Sequence, residues 1–506
     1  MYLLISFLRG GIMATIGFDN QKYIELQSKK IQERISGFGG KLYLEFGGKL
    51  FDDYHASRVL PGFEPDSKIK MLLNMKEDAE VIIVVSATSI EQNKIRGDLG
   101  ISYDMDALRL IDTFNDIGLY VGGVVITQYT QQSSVDTFIK RLQNLGIRVY
   151  RHYPIEGYPT NLRKIVSDEG YGKNEYIETT KSLVVVTAPG PGSGKMATCL
   201  SQLYHDHQRG IKAGYAKFET FPIWNLPLKH PVNLAYEAAT IDLNDVNMID
   251  PFHLEATGIT TVNYNRDIEI FPVLRAIFEK IYGKCPYQSP TDMGVNMAGY
   301  CIFDNDAVCA ASKMEIIRRY YDTLCRKRNG LAEAEEISKA ELIMSQAEVD
   351  TTFRPVIKHA MQKAEETGTP AMAIELPDKT IVTGKTSNLM GCSAAAILNA
   401  LKRLGGLDDE LLLLPPVVIE PLQKLKTENL GNRNPRLHAD EILMALAISA
   451  NTNPLAALAM EQLPRLRGCQ AHVSVIVSSV DKTTYRKLGI DLTCEPAYES
   501  KKFYHK

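Results

Sequence analysis

A glycine-rich loop near the middle of the chain has the composition of a phosphate-binding site. The stretch SLVVVTAPGPGSGK leads from a run of β-branched residues into this loop, and the helical pattern MATCLSQLYHDHQ follows. The residues of interest are Gly190, Gly192, Ser193, Gly194 and Lys195. Glycines allow backbone N–H groups to turn toward an anion, the start of a helix adds a partial positive charge, and a lysine adds a full one. The sequence therefore predicts that these residues bind the phosphate of a cofactor or substrate.

The loop differs from the Walker A pattern, G-x4-G-K-[ST], at two positions. Pro189 occupies the place of the first glycine, and Met196 replaces the hydroxyl residue that holds Mg²⁺ in that motif. Thr198 lies two positions further along, about 200° around a helix, so it does not simply take over that role. We expect ATP, or another nucleotide or phosphate ligand, at the loop and leave Mg²⁺ open. A tight turn with a purely structural role and a site for another anion are the alternatives.

Several residues downstream of the loop are candidates for the chemistry itself. Five residues are of most interest: Lys217 and Glu219 lie at the end of a predicted strand, and Asp250, His253 and Arg266 lie in the irregular segment that follows. That segment also contains Asn263, Asn265 and Asp267. A histidine near an acid suits proton transfer, and an arginine fork suits phosphate or carboxylate. We expect Lys217 to add to cofactor binding and the other four to form the catalytic side, with His253 as the first choice of acid or base. A hydrogen-bonded loop without catalytic function is the alternative.

Three further segments remain open between a site and an ordinary surface or turn. The first follows the first predicted strand and contains Glu45, Lys49, Asp52, Asp53, His55 and Arg58. The second precedes a helix in the C-terminal half and contains Arg433, Arg436 and His438. The third, Gly391-Cys392-Ser393, resembles a turn that carries a serine nucleophile. No Ser-His-Asp spacing accompanies it, and Ser393 is more typical of a helix cap.

The elements that position these residues alternate between strands and helices. Six apolar runs predict strands at residues 41–46, 80–86, 119–127, 147–152, 183–187 and 213–218. Helical patterns separate several of them, at residues 67–76, 102–117, 133–145 and 194–208. This alternation predicts an α/β fold with a doubly wound, mainly parallel sheet, Rossmann-like, with a P-loop-like strand–loop–helix. Ligands of such sheets lie beyond the carboxyl ends of the strands, which is where the glycine loop and Glu219 are expected.

The chain, at 506 residues, is long enough for two or three domains. We predict an N-terminal α/β domain at 13–330 that binds the phosphate or nucleotide and contains an irregular insertion at 221–273. A smaller C-terminal α/β domain is predicted at 331–506, with a hairpin and a closing strand–helix–strand unit. Residues 1–12 are expected to be an unstructured extension, with Met13 as an alternative start.

Composition excludes several classes of partner. With 57 basic and 60 acidic residues the chain has no overall attraction for nucleic acid. Eight cysteines without CxxC spacing indicate reduced thiols and a cytoplasmic location, and no segment has the length and apolarity of a membrane span. His205 and His207 are two apart on a predicted helix, which disfavours a metal role. We expect a phosphorylated small molecule as the partner, with no nucleic acid and no membrane, and leave a homo-oligomer open.

Several long strings are similar to those of an uncharacterised bacterial protein family, a domain of unknown function. They include GKLYLEFGGKL, VTAPGPGSGKMATCLSQLYHDH, GYAKFETFPIWNLP and NRNPRLHADEILMALAI, and the resemblance covers nearly the whole chain from about Asp19 onward. Members of that family are sometimes labelled ATP-dependent peptidases. The resemblance implies the same domain layout and a cytoplasmic location, and it transfers no catalytic residues.

Together these features favour an enzyme that acts on a nucleotide or a phosphorylated small metabolite, as a transferase or a hydrolase. The first alternative is a nucleotide or phosphate sensor that binds without turnover, which the missing Mg²⁺ hydroxyl favours. The second is an ATP-dependent peptidase or amide hydrolase with Cys392 or Ser393 as nucleophile. Neither a histidine pair at metal-binding spacing nor an identifiable base supports this second alternative.

Overall fold

The computed structural model describes residues 16–96 and 99–499, and the contacts within the chain divide it into two compact units. The N-terminal unit consists of Gly17–Tyr236 and Asp245–Cys309. The C-terminal unit consists of Glu237–Asn244 and the chain from Ala310 onward. Residues 1–12, expected to be an unstructured extension, lie outside the described residues, as does Met13.

The N-terminal unit is built on a seven-stranded sheet in which every pairing is parallel. The strands of this unit are β1 (Leu42–Phe46), β2 (Ala79–Ser86), β3 (Ile95–Arg96), β4 (Ile101–Ser102), β5 (Tyr120–Thr127), β6 (Val149–Arg151), β7 (Leu183–Thr187), β8 (Gly214–Phe218), β9 (Asn247–Ile249), β10 (Val262–Tyr264) and β11 (Gly294–Val295). The order across the sheet is β11-β8-β1-β7-β2-β5-β6, and two antiparallel ribbons, β3-β4 and β9-β10, lie outside it. Strands β2 and β7 are buried along their whole length, which explains their continuous runs of valine and isoleucine.

Helices connect these strands. They are α1 (Asn20–Gly37), α2 (Tyr54–Val59), α3 (Ser67–Leu73), α4 (Ala87–Glu91), α5 (Tyr103–Asp116), α6 (Ser133–Asn144), α7 (Leu162–Ile165), α8 (Lys195–Gln208), α9 (Pro231–Ala239), α10 (Pro251–Thr257), α11 (Asn265–Tyr282), α12 (Pro290–Met293) and α13 (Asn305–Arg328). Helices α9 and α13 each have residues in both units. The segment 221–273, expected to be irregular, contains α9, the β9-β10 ribbon, α10 and the start of α11.

The strand order creates a switch point at the centre of the sheet. The chain leaves β1 and passes over β7 to reach β2, whereas it leaves β7 and passes over β1 in the opposite direction to reach β8. The two connections diverge, so a crevice opens between the carboxyl ends of β1 and β7. In open parallel sheets this is the usual position of a ligand.

The C-terminal unit has a smaller, mixed sheet. Its strands are β12 (Ala371–Glu375), β13 (Ile381–Lys385), β14 (Gln470–Val473) and β15 (Asp491–Cys494), in the order β13-β12-β14-β15 with only the last pair parallel. Its helices are α14 (Ala334–Gln346), α15 (Val356–Thr367), α16 (Cys392–Leu404), α17 (Pro416–Lys424), α18 (Ala439–Ser449), α19 (Pro454–Met460) and α20 (Ser479–Leu488). Apolar residues of β12, β14, α16 and α18 form its core.

The predicted α/β fold is confirmed as a parallel sheet with a separate, smaller C-terminal α/β unit. All six predicted strands of the N-terminal half are present, each within two residues of its predicted limits. The two-residue strand β11 was not predicted, because so short a run leaves no periodic pattern to detect. Across the described parts of the chain, no helix has the length and apolarity needed to cross a membrane.

Candidate functional site

Glu45 and Lys217 are neighbours on adjacent strands near the carboxyl edge of the sheet. The register pairs Glu45 of β1 with Val186 of β7 on one side and with Lys217 of β8 on the other. Residues in register on parallel strands point to the same face, because side chains alternate with a period of two. On this face Tyr43 and Tyr215, two residues earlier on the same strands, pack with α8 and α11.

Two helices on this face begin at the carboxyl edge. Helix α8 starts at Lys195, shortly after β7 ends. Helix α11 starts at Asn265 and ends near the opposite edge, where the Tyr282 hydroxyl donates to the carbonyl of Ala213 at 3.1 Å, just before β8. The partial positive charges of both helix starts therefore lie near the ends of β1 and β8. The space between these two helix starts, beside the switch point, is the candidate site.

The glycine loop presents a row of backbone donors at one end of the site. Gly192 and Gly194 have φ angles of 76° and 90°, in the left-handed region that glycine adopts without strain. Among the residues that the structure describes, no hydrogen bond uses the N–H of Gly192, Ser193, Gly194 or Lys195 as donor. Successive N–H groups in this type of conformation form a concave nest that suits an anion.

Contacts from two neighbouring segments hold the loop in this shape. The Thr127 hydroxyl, at the end of β5, donates to the carbonyl of Ser193 at 2.7 Å, and the Ser193 hydroxyl donates to the carbonyl of Gly190 at 2.9 Å. A Cβ atom at Gly190 would lie 2.2 Å from the hydroxyl oxygen of Tyr103, and one at Gly194 would lie 3.1 Å from Thr127. An added Cβ at Gly190 would therefore force Tyr103 to move, and the φ angle of Gly194 favours glycine there.

At the other end of the site, one lysine lies among several acidic groups. Lys217 Nζ contacts Glu219 Oε1 at 3.2 Å and also the Asp267 carboxylate and the Tyr264 hydroxyl. The Tyr264 hydroxyl in turn donates to Glu219 Oε1 at 3.1 Å. We call these four residues, together with Glu45, the lysine–carboxylate cluster. All five residues are buried. Tyr264 and Asp267 belong to β10 and α11, which are distant from β1 and β8 in the sequence.

Burial and neighbouring charges set the protonation of this cluster. Burial raises the pKa of Glu219 to about 7, Asp267 adds to the rise, and Lys217 opposes it. Burial by itself would lower the pKa of Lys217, but the carboxylates of Asp267, Glu219 and Glu45 raise it instead, so the lysine stays charged. Among the described residues, Glu219 Oε2 is buried and has no hydrogen-bond partner. Glu219 can therefore accept or release a proton near neutral pH.

Glu45 links the two ends of the site. It accepts a hydrogen bond from the Tyr215 hydroxyl at 2.7 Å, and its negative charge raises the pKa of Lys217. Burial raises the pKa of the Cys199 thiol on α8, Glu45 raises it further, and Lys195 lowers it. Glu45 and Lys195 are thus both close enough to act on one thiol, so the loop and the cluster belong to one electrostatic environment.

A second buried ion pair lies behind the loop that follows β1. Lys68 Nζ contacts Asp53 Oδ2 at 2.7 Å, and it would lie 3.7 Å from a Cβ atom at Gly48. Burial acts to raise the pKa of Asp53, but Lys68 outweighs it and the pKa is lowered. Asp53 also caps α2 by accepting from the N–H of Ala56 at 3.2 Å. This pair supports the rim of the site.

Asp250, His253 and Arg266 each have contacts that tie neighbouring segments together. Asp250 caps α10 and accepts from Thr291 Oγ1 at 2.7 Å, and His253 Nδ1 lies 3.0 Å from Ser289 Oγ. Arg266 pairs with Asp245 at 2.9 Å, and its side chain is 54% exposed. Their predicted catalytic roles stay predictions. Glu219, by contrast, lies in the lysine–carboxylate cluster beside the predicted binding residue Lys217.

One member of the cluster, Tyr264, was not singled out from the sequence, and Asp267 was named in its segment without a role in the site. An aspartate in the first turn of a helix is usually explained by the helix dipole, so Asp267 carries no local sign of its ion pair. Its partner Lys217 is 50 residues away in the chain. The segment itself was chosen from the sequence, but no local feature indicated that Asp267 would pair with Lys217.

The sequence matches one protein family along almost its whole length. Residues 16–348 match the family described as Domain of unknown function DUF1846, N-terminal, and residues 352–504 match its C-terminal counterpart. The chain belongs to the DUF1846 family. It is 57% identical over 494 residues to a UPF0371 protein of Streptococcus pyogenes serotype M5 (strain Manfredo), which covers 98% of this chain and 100% of the relative. It is also 58% identical over 489 residues to a UPF0371 protein of Streptococcus pneumoniae (strain JJA), covering 97% and 99%.

Membership in the DUF1846 family confirms the resemblance that the sequence strings indicated. The family descriptions name no activity, so any functional argument rests on the geometry of the site. Within the described ranges, no group of three or more His, Cys, Asp or Glu side chains is arranged to hold a metal ion. The use of Mg²⁺, left open from the sequence, stays open.

Proposed function

We propose that this protein is an enzyme that acts on a nucleotide or another phosphorylated small molecule. The observation that carries the proposal is the row of unpartnered N–H donors at Gly192 to Lys195, in a loop beside the switch point of the sheet. A helix start, a nest of N–H groups and a lysine together favour a phosphate over a neutral group. In this proposal the sheet is Rossmann-like, the loop is P-loop-like, and its bound group is ATP or another phosphate compound.

Glu219 is the proposed acid or base of this enzyme. Its pKa of about 7 allows either protonation state at neutral pH, which is the condition for efficient proton transfer. It directly follows β8, which is separated from the loop strand β7 only by β1. A phosphate on the loop would bring the attached part of the molecule toward Glu219. The reaction class that fits is transfer or hydrolysis of a group near the phosphate.

Ligand binding followed by melting temperature tests the proposal directly. ATP, GTP and inorganic phosphate, each with and without Mg²⁺, should be screened against the full chain. A ligand at a hundred times its Kd stabilises the folded state by about 2.7 kcal/mol. Lys195→Ala should weaken binding about 10- to 100-fold, because a hydrogen bond to a charged group contributes about 1.5–3 kcal/mol. Lys140→Ala, an exposed lysine on α6, is the matched control and should bind normally. If no phosphorylated compound raises the melting temperature, the proposal is wrong.

A sensor that binds the same ligands without turnover is the second candidate. Met196, where a Walker A motif has its Mg²⁺ hydroxyl, favours it. Product formation separates the two: an enzyme should lose its rate in Glu219→Gln while its affinity for inorganic phosphate persists. For a sensor no phosphate ligand is converted by the wild type at all.

Two observations weigh against a peptidase with a nucleophile at Cys392 or Ser393. Both residues are buried, and burial raises the pKa of the Cys392 thiol to about 12, so a thiolate is scarce at neutral pH. The His438–Asp481 pair of the C-terminal unit does not complete a serine triad either. Asp481 Oδ2 and Ser478 Oγ both lie near His438 Nδ1, at 3.2 and 3.4 Å, whereas a triad has the serine at the other ring nitrogen.

A further inference from the structure

We infer that the substrate carries, away from its phosphate, a cationic group such as a protonated amine, which the lysine–carboxylate cluster recognises. This inference rests on the proposed function, because it assumes that the glycine loop holds the phosphate. It adds the chemical class of the other end of the molecule.

The charge of the cluster is negative. Glu45, Glu219 and Asp267 face a single cation, Lys217, and all four side chains are buried. Lys217 donates hydrogen bonds to the Tyr264 hydroxyl and the Asp267 carboxylate, and it forms an ion pair with Glu219. The lysine is thus already paired by groups of the protein, and the surplus carboxylate charge repels a phosphate. A cation is attracted instead, and a buried surplus of charge is costly until it is paired.

An unpartnered carboxylate oxygen of this cluster lies near an indole ring. Among the described residues, Glu219 Oε2 is buried without a hydrogen-bond partner. Trp224 Nε1 is also buried without a partner there, but it is a donor, which an ammonium group does not satisfy. A Cβ atom at Gly294 would lie 2.6 Å from Trp224 Cζ2 and 3.4 Å from Glu219 Oε2, so the indole and the carboxylate flank the same point. A carboxylate next to an indole ring suits an organic cation, since the carboxylate supplies charge and the ring supplies a cation–π contact. A donor from the ligand would also satisfy Glu219 Oε2.

The strand spacing sets the distance between the two ends of the ligand. The glycine loop follows β7 and the cluster lies at the end of β8, with β1 between them. Two strand spacings are about 9.5 Å, so phosphate and cation should be roughly that far apart. Glu45 on β1 lies between the two ends of the site, and it adds negative charge to the end that would bind the cationic group of the ligand.

A matched pair of ligands tests the inference on the full chain. The probes are 6-aminohexyl phosphate and hexyl phosphate, which differ only in the terminal ammonium group and have about the span required. We expect the amino compound to bind at least tenfold more tightly, measured by calorimetry and by the fluorescence of Trp224, the one tryptophan of the chain. Glu219→Gln should remove most of this advantage while hexyl phosphate still binds. Glu279→Gln, an exposed position on α11, is the matched control and should keep it.

Proton release provides a readout that a structural effect of the variant would not produce. At pH 7 Glu219 is close to half protonated, and an adjacent cation lowers its pKa. Binding of the amino compound should therefore release more protons than binding of hexyl phosphate, in calorimetry with buffers of different ionisation enthalpy. Glu219→Gln should abolish that difference.

The possible failures are distinguishable. One failure is that hexyl phosphate binds as tightly as the amino compound, and another is that neither probe binds while ATP or inorganic phosphate does. In both cases the inference of a cationic group on the substrate is wrong, and the proposed function stands. If no phosphate compound binds, the proposed function is wrong as well. Lys195→Ala should weaken both probes equally, and a loss confined to one of them would overturn the assignment of the two ends.

Discussion

Replacing Glu219 by glutamine should stabilise the protein at alkaline pH, although it alters the candidate site. In the folded chain the pKa of Glu219 is raised from 4.5 to about 7, chiefly by burial. An acid with a raised pKa binds its proton more tightly in the folded state than in the unfolded state. The free energy of unfolding therefore decreases as pH rises from about 4.5 to about 7, and the loss is complete above that range.

The size of this loss follows from the same two pKa values. One pKa unit corresponds to about 1.36 kcal/mol, so ionisation of Glu219 costs the folded state about 3 kcal/mol at pH 8. Glutamine has nearly the same shape and carries no charge at any pH. Lys217 keeps its contact with Asp267 in the variant. Glu219→Gln should thus be about 3 kcal/mol more stable than the wild type at pH 8, and close to it at pH 4.5.

The fluorescence of Trp224 is suited to this measurement. It is the one tryptophan of the chain and lies in the N-terminal unit beside Glu219, so its signal reports unfolding of that unit. Urea unfolding at pH 4.5 and pH 8 would give the two free energies for the wild type and for Glu219→Gln. Glu279→Gln, on the exposed side of α11, should show no pH-dependent gain.

Two results would refute this reasoning. If Glu219→Gln is no more stable than the wild type at pH 8, then ionisation of the buried Glu219 does not destabilise the folded state by the predicted amount. If its gain is equal at both pH values, the effect comes from packing and not from ionisation. A gain at pH 8 together with loss of turnover is the expected combination, since sites of function are often less stable than their best replacement.

Three further predictions concern the loop and the C-terminal unit. Gly190→Ala should lower stability by about 1–3 kcal/mol in thermal or urea unfolding, because the added Cβ would overlap the Tyr103 hydroxyl; an unchanged stability would mean that the loop adapts easily. Thr127→Val should cost about 0.5–1.5 kcal/mol and weaken phosphate affinity in calorimetry, since it removes the hydrogen bond that holds a loop carbonyl. Equal affinity would mean that this hydrogen bond does not shape the nest. The hydrogen bond to Asp481 raises the pKa of His438 above 6.5, so its stabilisation is present below pH 6.5 and is lost as pH rises through the raised value. His438→Gln should remove this dependence in circular-dichroism melts, whereas an unchanged pH profile would show that the pair adds nothing.

The strands and the loop could be predicted because their signals are local. Continuous apolar runs such as residues 183–187 indicate buried parallel strands, and the pattern of glycines before Lys195 indicates a turn at a helix start. The structure has β7 over the same residues and α8 starting at Lys195. The position of Glu219 at the carboxyl edge of the sheet was also predicted correctly, because this residue directly follows a predicted strand.

The pairing of the residues at the acidic end of the site could not be predicted, because they come from separate parts of the chain. Asp267 meets Lys217 only because α11 runs back across the face of the sheet from its start at the carboxyl edge. Nothing near Asp267 in the sequence distinguishes it from an ordinary residue of a first helical turn. The pKa of Glu219 depends on the same packing, since burial is its main cause.

The sequence by itself determined that this protein has an α/β fold with a glycine loop at a helix start, because apolar periodicity and glycine positions are properties of short segments. The tertiary structure decided the strand order, and with it that the loop lies beside the switch point between β1 and β7. It also decided that Glu45, Lys217, Glu219 and Asp267 share one buried environment. Charges act on one another through space, so their pairing depends on which segments pack together, and no short segment specifies that.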